Sequence, residues 1–191
     1  MKKIISSLVL LLTFTIASAQ WVLDKVHSKV AFIVQHHGIS EVDGYFKKYD
    51  ATLTSTKVDL SDAVFEITVE TASINTDFEI RDNHLRSEDI FNVEKFPSMT
   101  FKSSSLIKKN RNQYIMTGNI TLRGITKEIT LDVTMNGPTE NPDKNAKNIQ
   151  IGIKGLGKIK RSDFNLGSKL TTAFVSDEIQ IRVTGEFNKP I

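Results

Sequence analysis

Four segments of the chain alternate apolar and polar residues with a period of two. Phe65, Ile67 and Val69 interleave with Glu66, Thr68 and Glu70, and Ile129, Leu131, Val133 and Met135 interleave with Thr130, Asp132, Thr134 and Asn136. Ile149, Ile151 and Ile153 oppose Gln150, Gly152 and Lys154, while Ile179, Ile181 and Val183 oppose Gln180, Arg182 and Thr184. Successive side chains of a strand point to opposite faces, so each segment reads as a strand with one dry and one wet face. The same reasoning places strands at 28–36, 43–54, 99–108 and 113–122, roughly eight in all, joined by turn residues such as "KNRN" and "RG".

Helical spacing occurs around Phe78 to Asp89, where Phe78, Arg81, Leu85 and Asp89 fall on one side, so a short helical segment is predicted near residues 78–90. Asn136 to Asn148, polar and rich in Asn and Pro, reads as an exposed hairpin loop, and "GLG" at Gly155–Gly157 as a bulge or sharp bend within a strand. Many short antiparallel strands in one all-β domain make either a sandwich or a closed barrel, and periodicity does not choose between them.

Lys2 and Lys3, an apolar run from Ile4 to Ile16 and "ASA" before Gln20 match a cleavable secretory signal. The expected organisation is a signal peptide over 1–19 and one exported domain over 20–191. The apolar run is shorter than the roughly 20 residues a membrane-spanning helix requires. The chain has no cysteine, which excludes disulfides and leaves stability to the core. Its formal charge of +3 falls to about +1 without Lys2 and Lys3, so no basic footprint for nucleic acid exists.

The histidines are His27, His36, His37 and His84. On one extended strand His27 and His36 face opposite sides, His27 and His37 lie about 33 Å apart at roughly 3.3 Å per residue, and the adjacent His36 and His37 diverge. No metal site is predicted from that spacing. Nucleophile elbows and glycine-rich phosphate loops are absent, so no catalytic residue and no cofactor is predicted either. The densest chemistry is "RDNHLRSEDIFNVEKFP", Arg81 to Pro97, which reads as a reactive site or as a lid.

"LDKVHSKVAFIVQHHGISEVDGYF", "INTDFEIRDNHLRSEDIFNVEKFPSMTF", "GNITLRGITKEITLDV" and "IKRSDFNLG…VSDEIQIRVTGE" together resemble the motifs of the YceI-like family, in family order and over nearly the whole domain. The resemblance implies a lipocalin-like, extended, antiparallel eight-stranded β-barrel in the bacterial periplasm whose apolar cavity binds a long-chain isoprenoid lipid, with a prenyl quinone or a prenyl diphosphate as candidate ligands. It implies no enzymatic activity and no cofactor beyond the bound lipid, with transient contact to a membrane or a membrane enzyme. On that reading Arg81 to Pro97 packs on the barrel as a lid. Its Leu85, Ile90, Phe91, Val93 and Phe96 turn to the cavity or its rim, and Arg81, Asp82, His84, Arg86 and Asp89 pin it by charge-assisted hydrogen bonds, with Arg161 to Phe164 as partner.

The expected cavity lining is Phe32, Val34, Phe46, Phe65, Ile67, Leu85, Phe91, Phe101, Ile120, Leu131, Ile151 and Phe174. Arg81, His84, Arg86, Lys95 and Arg161 are the candidates for the rim or for a head group; a diphosphate would need a fork of such cations, a quinone only one or two neutral donors. Two alternatives stay open: an enzyme acting on a prenyl lipid through His84 with Asp82 or Glu88, and a structural or stress-response module whose cavity is incidental.

Overall fold

The computed structural model describes residues 21–143 and 145–191; the expected signal peptide over 1–19 lies outside them. Among the described residues ten strands are formed: β1 (Trp21–His36), β2 (Ser40–Phe46), β3 (Tyr49–Thr54), β4 (Val64–Glu70), β5 (Ile74–Asn75), β6 (Ser98–Lys108), β7 (Gln113–Leu122), β8 (Ile125–Glu140), β9 (Asn148–Lys160) and β10 (Val175–Pro190). One helix, α1 (Glu79–Arg86), lies between β5 and β6. Eight of these strands close a ring in the order β1, β10, β9, β8, β7, β6, β4, β3, with β3 returning to β1 through Trp21↔Leu53 and Val22↔Thr52. All neighbours are antiparallel, and closure by β10 against β1 removes the free edges an open sheet would expose. The choice between sandwich and barrel is thereby made.

The predicted strand over 43–54 is two, parted at Lys47 and Lys48. β2 pairs with β1 from Val30↔Phe46 to His36↔Ser40 and on its other side meets only the two-residue β5, so at that end the segment carrying α1 takes the place of a further strand. The predicted loop over 136–148 also shrinks. β8 runs on to Glu140, pairing Thr139↔Gln150 and Glu140↔Ile149 after an irregularity at Gly137–Pro138, where Gly137 has φ +107° and proline has no N–H to offer.

"GLG" is neither bulge nor bend. Its register is unbroken on both sides, with Gly155 opposite Val133 and Val183 and Gly157 opposite Leu131 and Ile181. A Cβ on Gly157 would collide with Leu131 Cδ2, so this glycine makes room for a neighbouring side chain. The helix is shorter than its periodic window. Phe78 and Asp89 lie outside it and are exposed, and the buried residue of α1 is Asp82. The end of the barrel away from α1 is packed more closely: Trp21, Leu53, Ile151 and Phe187 are buried, and Phe65 meets Phe187 edge to face at 6.4 Å.

Candidate functional site

The end of the barrel beneath α1 is hollow. A cavity of about 380 Å³ lies there, within the roughly 300–1,000 Å³ typical of small-ligand sites. Alternate residues of the strands supply its wall: Val30, Phe32 and Val34 from β1, Ile179, Ile181 and Val183 from β10, and Ile67, Phe101, Ile120 and Leu131 across the bore. Leu85, Ile90 and Phe91 from the α1 segment and Leu166 and Leu170 from the loop before β10 complete it. Polar residues on the wall are His36, Thr76, Arg81, His84, Thr100 and Arg161.

Of the expected apolar residues, Phe32, Val34, Phe46, Ile67, Leu85, Phe91, Phe101, Ile120 and Leu131 stand on this wall. Phe65 does not: paired with Leu53 further down the barrel, it lines a second cavity of about 50 Å³. Ile151 is buried opposite Phe187 in the closely packed end and lines neither cavity. Phe174 lies outside the barrel, exposed and edge-on to His37 at 5.2 Å, because its own carbonyl accepts the His37 N–H at 2.9 Å and fixes the loop there. Ile179, Ile181 and Val183 were legible from alternation as one dry face; Leu166 and Leu170 had no periodic signal to reveal them.

The cationic groups divide differently from expectation. Arg161 is 6% exposed, and its five N–H groups are engaged by main-chain carbonyls: Nε to Ser176, one terminal nitrogen to Leu166 and Gly167, the other to Leu170 and Val175, at 2.6–3.4 Å. Arg81 donates from Nε to Thr76 Oγ1 and from a terminal nitrogen to Thr76 O, each at 2.7 Å. Arg86 turns from the cavity to Ala72 O, Ile74 O, Glu79 and Asn83, and Lys95 rests over the Phe96 ring at 5.4 Å, so neither reaches the wall. His84 does.

Asp82, 1% exposed, accepts from Thr76 N–H at 2.9 Å and from Thr76 Oγ1 at 2.5 Å, and is not hydrogen-bonded to His84. The segment is held at its far end as well. Asp89 O accepts Gly167 N–H at 3.1 Å, Lys169 Nζ donates to Asp89 Oδ1 at 2.8 Å, and Arg123 donates to the carbonyls of Glu88 and Ile90. The expected partner, Arg161 to Phe164, is thus replaced by Gly167 and Lys169 of the loop that follows it.

Two histidine expectations change with backbone geometry. His37 and Gly38 have φ of +54° and +68°, a tight turn that brings the His36 and His37 rings into a stack at 3.9 Å where a regular strand would separate them. His27 sits in an irregularity of β1, which advances from Asp24 to Lys29 while β10 moves only from Glu186 to Thr184. There Asp24 Oδ1 accepts the N–H groups of Val26 and His27, Ser28 Oγ bridges Asp24 O and Glu186 N, and His27 Nδ1 lies 2.9 Å from Asp24 Oδ2. Atoms of Asp24, His27 and Glu186 lie within 4.8 Å of one another, close enough to share a cation; the imidazole already occupies Asp24, and Gln150 Nε2 donates to Glu186 Oε1 at 2.7 Å.

The hydrogen bond that the His27 ring donates to the Asp24 carboxylate raises the His27 pKa, and the same bond lowers that of Asp24. The imidazolium's contribution is complete below an ordinary value of about 6.5 and is lost as pH rises through the raised one. The carboxylate's is present above about 3.9 and lost as pH falls through the lowered one. The pair therefore stabilises the seam most in the mildly acidic window between those values. Asp24→Asn should bring the His27 titration midpoint, followed by NMR of the ring protons, down toward about 6.5; an unmoved midpoint would mean that Asp24 does not cause the shift.

A closed antiparallel barrel that holds an apolar cavity under a helical cover defines a lipocalin-like barrel. The family model for the YceI-like domain matches residues 21–187, and the chain belongs to that family. Protein YceI of Salmonella arizonae and that of Salmonella enteritidis PT4 are each 37% identical to it over 187 residues, covering 92% of this chain and 96% of theirs. Among solved structures, Burkholderia cenocepacia BcnA matches with a TM-score of 0.75 at 26% identity, over 86% of this chain and 98% of its own. The Campylobacter jejuni YCEI protein matches with a TM-score of 0.73 at 34% identity, over 80% and 88%. A domain from Saccharophagus degradans described as polyisoprenoid binding shares the fold, with a TM-score of 0.64 at 14% identity over 91% and 99%.

Proposed function

We propose that this protein binds and carries a long-chain isoprenoid lipid in the periplasm, without catalysing a reaction. The observation that carries the reading is the cavity of about 380 Å³, walled almost throughout by aliphatic and aromatic side chains, in a family with a structural neighbour described as polyisoprenoid binding. Each buried methylene contributes about 0.8 kcal/mol, so a prenyl tail needs no polar anchor to bind tightly, and polar groups serve to select the head. The Arg161 donors are all engaged by main-chain carbonyls, and Arg81, tied to Thr76 through Nε and one terminal nitrogen, is left as a single arginine with donors to spare on the wall, short of the cluster of cations that a diphosphate calls for. The reading therefore favours a neutral head such as a quinone, whose carbonyl oxygens need only one or two donors, with His36 and His84 at hand on the wall. Asp82 is directed at Thr76, which supports binding over acid–base chemistry by His84.

The same reading includes contact with a membrane at the mouth. Ile39, Phe78, Ile80 and Phe174 are 85%, 54%, 74% and 58% exposed on the turn after β1, at the start of the α1 segment and on the loop before β10, close in sequence to His36, Arg81 and Val175 of the cavity wall. Apolar side chains so placed would sink into a lipid interface and spare the tail a passage through water. Ile39→Ser with Phe174→Ser should slow prenyl-lipid uptake from vesicles several-fold while leaving thermal stability and equilibrium affinity unchanged. Unchanged uptake would remove membrane docking at this rim.

The identity test is mass spectrometry of an organic extract of the protein purified from its native compartment without detergent, beside an equally handled protein lacking a cavity. A near-stoichiometric prenyl quinone is the expected result. A prenyl diphosphate would overturn the head-group reading, and a repeatedly empty extract would overturn carriage.

A further inference from the structure

We propose that Val30, Ile67, Phe101, Leu131 and Val183 form a floor that limits the length of isoprenoid chain the barrel admits, and that the small cavity below is the space a longer chain would need. The inference rests on the isoprenoid reading of the large cavity. These five residues line both the large cavity and the small one, so they are the partition between two apolar spaces. They come from five strands of the ring, β1, β4, β6, β8 and β10, and the register holds them in one section of the barrel. Val30 pairs with Val183 and Ile67 with Phe101, while Leu131 pairs with Gly157, whose other partner is Ile181, the inward residue next to Val183.

Two members, Phe101 and Leu131, are fixed in place by glycines on neighbouring strands. A Cβ on Gly118 of β7 would collide with the Phe101 ring, and one on Gly157 of β9 with Leu131 Cδ2, so each side chain lies in a recess that only glycine leaves open. Side chains seated in this way make a partition of defined height. Above it the wall leads to His36, Arg81 and His84 at the polar end, where a head group would lie. Below it the lining is again apolar, with Leu23, Phe65, Met116, Val133, Ile153 and Phe187, so a tail that crossed the floor would meet no polar barrier. What stops the tail is volume.

The test uses the prenyl alcohols farnesol, geranylgeraniol and solanesol with intermediate lengths, and reads dissociation constants for the wild-type protein, Phe101→Ala and Val183→Phe. For the wild type, affinity should rise with each added isoprene unit and then level off where the tail end reaches the floor. In Phe101→Ala the levelling point should move to longer chains, and in Val183→Phe to shorter ones, opposite shifts that a general loss of packing would not produce. Phe101→Leu, a milder truncation, should move it in the same direction as Phe101→Ala and serves where the alanine variant folds poorly. Length profiles identical to wild type in folded variants of both kinds would overturn the floor while leaving isoprenoid binding intact. Failure of the wild type to bind any of the alcohols would instead overturn the isoprenoid reading beneath it.

Discussion

Arg161→Ala should destabilise the protein by about 3–5 kcal/mol, because the buried Leu166 and Gly167 carbonyls each lose their donor at a cost of roughly 1–3 kcal/mol and three half-buried carbonyls lose theirs in part. The guanidinium gathers the carbonyls of Leu166, Gly167, Leu170, Val175 and Ser176, so it is the hub on which the whole loop between the Arg161–Phe164 turn and β10 is folded. Leu166 and Leu170 reach the cavity only because that loop is held, and Gly167 is also the donor to Asp89 O. Against a total stability of roughly 5–15 kcal/mol, the loss is large enough to read as a lower urea midpoint at an unchanged slope. Arg161→Lys should recover only part of it, since an ammonium offers three donors where five are needed. A cost below about 1 kcal/mol would mean that water replaces the guanidinium and that the loop does not depend on it.

Arg161 also marks where sequence reading stops. Its position beside a barrel end was legible, and so was its value as a cation; what was not legible is that its acceptors are main-chain carbonyls of a loop with no periodic pattern. Arg86 and Lys95 misled for the same reason, since charge near a predicted mouth says nothing about which neighbouring acceptors reach it first. The strand faces were readable because alternation is a direct consequence of backbone geometry, and nine of the twelve expected apolar residues stand on the cavity wall. The three that do not, Phe65, Ile151 and Phe174, face inward or outward as loop and pairing dictate, but their height along the barrel depends on inter-strand register, which alternation leaves open. The His36–His37 stack required a positive φ at His37, and the meeting of Asp24 with Glu186 required barrel closure. Neither is written in local spacing.

Asp82→Ala should cost about 2–3 kcal/mol and, more tellingly, loosen the cover of the cavity. The carboxylate lies beneath α1 and accepts both the N–H and the hydroxyl of Thr76, the residue to which Arg81 is also bonded from two of its nitrogens. Removing it leaves the buried Thr76 N–H without its acceptor and detaches one end of a segment whose other end is held by the Asp89 contacts with Gly167 and Lys169. The surface pair Lys169–Asp89 cannot compensate, because exposed ion pairs contribute little in water. Hydrogen exchange of the α1 amides should therefore accelerate beyond that of the barrel strands, and bound prenyl lipid should dissociate faster, since Leu85, Ile90 and Phe91 are the part of the wall that this segment supplies. Asp82→Asn, which keeps one acceptor oxygen, should show both effects weakly. Unchanged exchange in α1 with an equal loss of global stability would mean that the segment opens only with the barrel, and that a ligand enters by another route.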